Sequence, residues 1–120
     1  MPSKNPAQRL RDILDNLDNT DAIEEFTAQL DFSGFRTDRK TVYAVVRALD
    51  IVSETSRRLP PALIGRHPEV DWAAVAASGN VYRHEYDEVD EALIWPTVKH
   101  ELPPLRVVAA EEFDRWRSAT

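Results

Sequence analysis

The sequence predicts an all-α fold, an antiparallel four-helix bundle with one short extra helix, and three observations carry that prediction. Apolar residues recur at spacings of three and four along the long segments. Only 3 glycines stand among 120 residues, too few for a sandwich or barrel built on many tight turns. The connections between the long segments are short, which in a helical chain makes neighbours antiparallel. The β-branched runs VYAVV and LRVV lie inside segments of helical spacing and are read as helix.

The first helix is predicted over residues 6 to 30. Pro6 suits a first helical turn, and Leu10, Ile13, Leu14, Leu17, Ile23, Phe26 and Leu30 form its apolar stripe. Residues 31 to 36 read as a break with Gly34 as the stop, and Thr37 or Asp38 caps the next helix. That helix carries Val42, Val45, Val46, Leu49 and Val52 and ends before Leu59-Pro60-Pro61. Ala62-Leu63-Ile64 reads as one short turn closed by Gly65, followed by a loop through His67-Pro68-Glu69. A further helix starts near Asp71 as N-cap, carries Trp72, Val75, Ala76 and Gly79, and ends between Tyr82 and Tyr86. The last begins at about Asp90 and buries Leu93 or Ile94, Val98 and Leu102. It is interrupted at Pro103-Pro104 and runs on through Leu105, Val108 and Phe113 to Trp116.

Composition narrows the function. The length fits one domain spanning residues 1–120. With no cysteine, disulfide scaffolds, thiolate zinc sites and cysteine nucleophiles are excluded. No run approaches the ~20 apolar residues of a membrane span, and MPSKNPAQRLRDIL lacks a secretory core, so a cytoplasmic protein without a membrane partner is expected. A net charge of −6 disfavours broad binding to a phosphate backbone, so any nucleic acid must meet a local basic patch. The glycines at 34, 65 and 79 stand singly, so no phosphate-binding glycine loop exists.

The densest polar cluster is Asn80-Val-Tyr-Arg-His-Glu-Tyr-Asp-Glu, after the small-residue patch Ala76-Ala-Ser-Gly79. On a helix Asn80, Arg83 and His84 fall within about 100° of one another. One face then presents an amide, a guanidinium and an imidazole. In RNA cleavage an imidazole moves protons near neutral pH and a guanidinium stabilises charge on phosphate oxygens. The plainer alternative is a polar helix end in which Arg83 pairs with Glu85 or Asp87. No metal is expected, since His84-Glu85 lacks a histidine at i+4 and neither His67 nor His100 has carboxylates at ligand spacing. No cofactor is expected either. Arg57 and Arg58 complement the dipole at a helix C-terminus. Arg36, Arg39 and Lys40 stand where a helix begins, as a solvated surface or a contact for phosphate. Glu54 lies on an otherwise apolar helix and is either exposed or turned to the site.

An ordered set of blocks resembles the HepT-like HEPN-domain toxins: Arg11-Asp-Ile-Leu-Asp-Asn, Ile23-Glu-Glu-Phe-Thr, residues 38–52, Leu59-Pro, His67-Pro-Glu-Val-Asp-Trp72, Asn80-Val-Tyr-Arg-His-Glu-Tyr86 and Ile94-Trp. The resemblance runs from about residue 9 to 106. It implies a helical HEPN bundle that forms a homodimer and acts as a metal-independent RNA endonuclease. It also implies a toxin–antitoxin pair with a minimal nucleotidyltransferase, which silences the toxin by transferring AMP to the motif tyrosine. The family motif is Arg, four residues, His, one residue, Tyr; His84 and Tyr86 match it, Asn80 fits the usual Arg-Asn pair, and Gly79 stands at the arginine position.

Because Arg83 is four residues after Gly79 on the same stripe and side chains lean toward the helix N-terminus, its guanidinium is a candidate to lie back over position 79. The expected roles are proton transfer for His84, charge stabilisation for Arg83, orientation for Asn80 and AMP acceptance for Tyr86. Two other readings stand beside this one. The first is an inactive HEPN-like module that only binds a nucleotidyltransferase. The second is a nucleotide-sensing helical domain in which Tyr82 and Tyr86 stack a base.

Overall fold

The computed structural model describes residues 5–84 and 90–119, with side chains for residues 5–79 and 90–118. The described residues form helices α1 (Pro6–Thr27), α2 (Phe32–Thr37), α3 (Arg39–Arg58), α4 (Pro61–Arg66), α5 (Trp72–His84), α6 (Glu91–Pro96) and α7 (Leu102–Ala119), with a π-helical turn Thr97–Glu101 between the last two. No strand occurs among them, so the fold is an all-α bundle, as expected. Among the described residues no helix is long and apolar enough to cross a membrane.

Helix α3 is the centre of the bundle. Asp38 caps it, with Oδ1 accepting from the Thr41 amide and Oδ2 from the Thr41 hydroxyl. Those bonds hold the Asp38 carboxyl below its ordinary value. Val42, Val45, Val46, Ala48, Leu49 and Val52 are buried, joined by Ser53, Thr55 and Ser56 nearer its end. The main core gathers around them from Ile23, Phe35, Val70, Val75, Ile94, Val98, Leu102, Leu105 and Val108. Each fully buried aliphatic side chain contributes roughly 1.5–3 kcal/mol relative to exposure. A second cluster at the far end of the bundle joins Ile13, Leu59 and Leu63 to Ile64, Trp72, Phe113 and Trp116.

Three expectations need correction. Residues 32–37 are a helix and not a break. Asp31 accepts the Gly34 amide at 2.8 Å, and Phe35 is buried with its ring 5.0 Å from that of Trp95. None of the described glycines has a positive φ, so Gly34 lies inside a helical turn and stops nothing.

The buried face of α1 keeps Ile13 and Ile23 of the predicted stripe but is rotated away from Leu14 and Phe26. Asp12, Ile13, Asn16, Thr20, Ile23 and Thr27 face inward, while Leu14 and Phe26 are exposed. Specific polar bonds select that face. Asn16 Nδ2 donates to Ser56 Oγ at 2.8 Å and Thr55 Oγ1 at 3.1 Å on α3. The Thr20 and Thr27 hydroxyls satisfy themselves on the carbonyls of Asn16 and Ile23 four residues back.

The last helix is interrupted before its prolines and not at them. Pro103 and Pro104 have no N–H to give the carbonyls four residues back, and their rings crowd those carbonyls. The chain widens into a π turn ahead of them, in which the Leu102 amide reaches the Thr97 carbonyl.

Candidate active site

Helix α5 positions the candidate residues. Asp71 Oδ1 accepts the Ala74 amide at 3.0 Å and starts the helix, which is described as far as His84, the expected end falling partly outside the described residues. The backbone places Asn80, Arg83 and His84 on its last turns. Their side chains lie outside those described, and Tyr86 lies outside the described residues altogether. Trp72 and Val75 face the core, Val75 completely buried.

Helix α5 packs antiparallel to α3. Ser53 Oγ donates to the Ala76 carbonyl at 2.6 Å, and Arg57 Nη1 donates to the same carbonyl at 2.8 Å and to Ser53 Oγ at 3.0 Å. Gly79 is buried at this crossing. A Cβ built on it would stand 2.9 Å from Ser53 Oγ and 3.0 Å from Ser53 Cβ. Position 79 is therefore a close contact between α5 and α3. Glycine is required here although alanine is the better helix former by about 1 kcal/mol. Gly79→Ala is expected to lose about 1–3 kcal/mol to overpacking, less that propensity gain, and so to lower Tm by a few degrees. An unchanged or raised Tm in thermal unfolding contradicts this close approach.

The expected basic contacts Arg36, Arg39 and Lys40 are all exposed at the α2–α3 junction. Arg39 is organised further: its guanidinium lies 5.3 Å from the centre of the Tyr43 ring, and Nε donates to the Tyr43 hydroxyl at 3.1 Å. Tyr43 is itself exposed. Tyr43, Asp50 and Arg57 are spaced by seven and share one line of α3. Asp50 meets Gly79, and α5 runs antiparallel from there, so its last turn heads toward the Arg39–Tyr43 end of α3. Sequence reading missed Tyr43; an arginine and a tyrosine four apart on a helix were the signal for it.

Glu54 is exposed and pairs with Arg58 Nη1 at 3.2 Å. Arg58 also reaches buried Asp12 at 3.1 Å. A groove of about 320 Å³ between α1 and α7 is lined by Thr20, Ile23, Lys99 and Arg106 among others, and no candidate residue borders it.

His67 stands in the expected loop after α4 and is buried there. Its Nε2 lies 2.6 Å from Glu112 Oε2, while Arg66 Nη2 donates to Glu112 Oε1 at 2.6 Å and Trp116 Nε1 to the same oxygen at 3.1 Å. Burial pushes the Glu112 carboxyl upward; the bonds from Arg66 and His67, the Arg66 charge and the Trp116 indole outweigh it and hold the carboxyl below its ordinary value. With all its acceptors engaged by structural donors, this cluster is a clasp between the α4–α5 loop and α7.

An all-α bundle is the architecture that the sequence blocks anticipated. The chain matches the family described as Ribonuclease HepT-like over residues 16–112. A protein of Thermococcus cleftensis named as a probable ribonuclease HepT is 40% identical over 84 residues, which cover 70% of this chain and 76% of the relative. A protein of Methanocaldococcus jannaschii named as a putative RNase is 33% identical over 103 residues, 86% of this chain and 83% of the relative. A second of that name and organism is 31% identical over 94 residues, 78% and 86% of the two chains. No solved structure matches. This chain belongs to the HepT-like ribonuclease family.

Proposed function

We propose that this chain is an endoribonuclease whose reaction takes place on the C-terminal half of α5. Membership of the ribonuclease family over residues 16–112 is the observation that carries the reading. The α5 backbone supports it, since it brings Asn80, Arg83 and His84 onto one face.

The reaction is an internal transesterification. The 2′-hydroxyl oxygen bonds to the adjacent phosphorus, the bond from phosphorus to the 5′ oxygen breaks, the 2′ proton leaves to a base and the 5′ oxygen takes up a proton. His84 moves these protons, Arg83 stabilises the charge on the phosphate oxygens, and Asn80 orients one of the two. The step balances without a metal or a redox partner. Arg36, Lys40 and the stacked Arg39–Tyr43 pair offer cations and an aromatic face for the flanking RNA.

The biological setting follows the same reading: a cytoplasmic toxin whose homodimer sets two copies of residues 79–86 together. A minimal nucleotidyltransferase antitoxin silences it by transferring AMP to Tyr86. A second reading, an inactive module that only binds this partner, is favoured by one observation, the glycine at position 79 packed against Ser53.

The experiment is cleavage of end-labelled RNA by the purified chain with EDTA present. The expected products carry 2′,3′-cyclic phosphate and 5′-hydroxyl ends. Ends bearing 5′-phosphate contradict the mechanism, and no cleavage at high enzyme concentration gives the lead to the binding module.

A further inference from the structure

The Arg57 guanidinium has an unusual placement. Its neighbours on α3 are neutralised, Arg47 by Asp50 at 3.1 Å and Arg58 by Asp12 and Glu54. Arg57 has no carboxylate partner among the described residues, in a chain of net charge −6. It spends Nη1 on Ser53 Oγ and the Ala76 carbonyl, and its Nε and Nη2 meet no acceptor among the described residues. A cation that only complemented the α3 dipole would stay on the last carbonyls of α3. This one crosses to an interior carbonyl of α5, which needs no capping group. The outcome of these bonds is an anchored guanidinium with two donors unused among the described residues.

Its position on α5 is telling. At 100° per residue Asn80 lies about 40° to one side of Ala76, Arg83 about 20° to the other, and His84 about 80° round. Ala76 is therefore the first residue of the face that carries the three candidates, and the guanidinium bound to it stands at that face's N-terminal edge. His84 lies about 12 Å further along the axis. Helix carbonyls point toward the C-terminus, so the guanidinium bound to the Ala76 carbonyl is held on the side of that residue that leads to the candidate positions. Ser53 stands in close contact with position 79 and at the same time holds Arg57 beside it.

We infer that Arg57 is a second catalytic guanidinium of this site, anchored by Ser53 and the Ala76 carbonyl and offering Nε and Nη2 to a non-bridging oxygen of the phosphate being cut. The inference rests on the ribonuclease reading. Donors fixed in advance are the kind that stabilise developing charge without reorganising. The phosphate supplies the negative charge that Arg57 lacks among the described residues, and no bond beyond those of the transesterification is made or broken.

The test compares RNA cleavage by the wild-type chain, Arg57→Ala, Arg57→Lys and His84→Ala, with folding followed by circular dichroism. Arg57→Ala is expected to lower kcat about 10²–10³-fold, the usual effect of losing one oxyanion donor. Millimolar guanidinium is expected to restore part of that rate in Arg57→Ala and none in His84→Ala; a merely structural tie between α3 and α5 predicts no such rescue. Arg57→Lys keeps a donor for the Ala76 carbonyl but not the fork, and is expected to stay folded while losing at least about tenfold in kcat. Arg57 variants that cut like wild type, or folded variants that lose rate without guanidinium rescue, overturn the inference while the ribonuclease reading stands. A wild-type chain that does not cut RNA overturns both.

Discussion

Replacing Glu112 by alanine is expected to lower the stability of this chain by about 3–5 kcal/mol, the usual cost of removing one partner from a buried charge cluster. At this chain length that moves Tm down by on the order of 10–20 °C. Glu112 is 1% exposed and accepts from Arg66, His67 and Trp116, donors on two separate parts of the chain. Its removal leaves buried His67 and the Trp116 indole without their acceptor and opens space beside Leu63 and Trp72. The same carboxylate sets a pH dependence. Its folded-state value is depressed below the ordinary 4.5, so its contribution is complete above that value. It is lost as the pH falls from there through the folded value. Thermal unfolding followed from neutral pH down through the carboxyl range should therefore show a fall in Tm that is shallower in Glu112→Gln. A Glu112→Ala chain within about 1 kcal/mol of wild type contradicts the clasp.

The second large effect belongs to the chemistry. His84→Ala is expected to slow RNA cleavage by about 10²–10⁴-fold, the range a positioned general acid–base contributes. The loss should fall on kcat with little change in KM, because the imidazole moves protons while the cations and the Arg39–Tyr43 surface hold the strand. Thermal unfolding should be close to wild type, since position 84 lies more than a turn beyond the Ser53 crossing at Gly79. Initial rates over a range of RNA concentration check this, and a His84→Ala chain that retains wild-type kcat removes the histidine from the mechanism.

Helix starts were legible where a side chain caps locally. Asp38, Asp71 and Asp90 each accept an amide two or three residues on, a pattern written in the sequence itself. The same rule explains the missed α2. Asp31 is a cap of the same kind, but Gly34 also reads as a terminator, and only the packing of Phe35 on Trp95 decides for helix. The rotation of α1 was hidden because its inward face is built from Asn16, Thr20 and Thr27, whose hydrogen bonds make them acceptable inside. Their partners are on α3 or on α1's own carbonyls, and apolar spacing carries no record of either.

In the candidate site, the shared face of Asn80, Arg83 and His84 followed from helical geometry alone. The filling of position 79 by Ser53 and the crossing of Arg57 to Ala76 did not, since both join residues 19 or more apart in sequence. The clasp of His67 on Glu112, 45 residues apart, was invisible for the same reason.

The most direct measurement locates the RNA on the chain. An oligonucleotide with 2′-deoxy sugars lacks the nucleophile and should bind without being cut, so backbone amide shifts of the wild-type protein can be followed by NMR as it is titrated in. The account predicts that the shifts concentrate on residues 76–84, with Arg57 and the Arg39–Tyr43 turn next, and that the oligonucleotide stays intact. Shifts centred on the groove between α1 and α7, or cleavage of the fully 2′-deoxy strand, would contradict it.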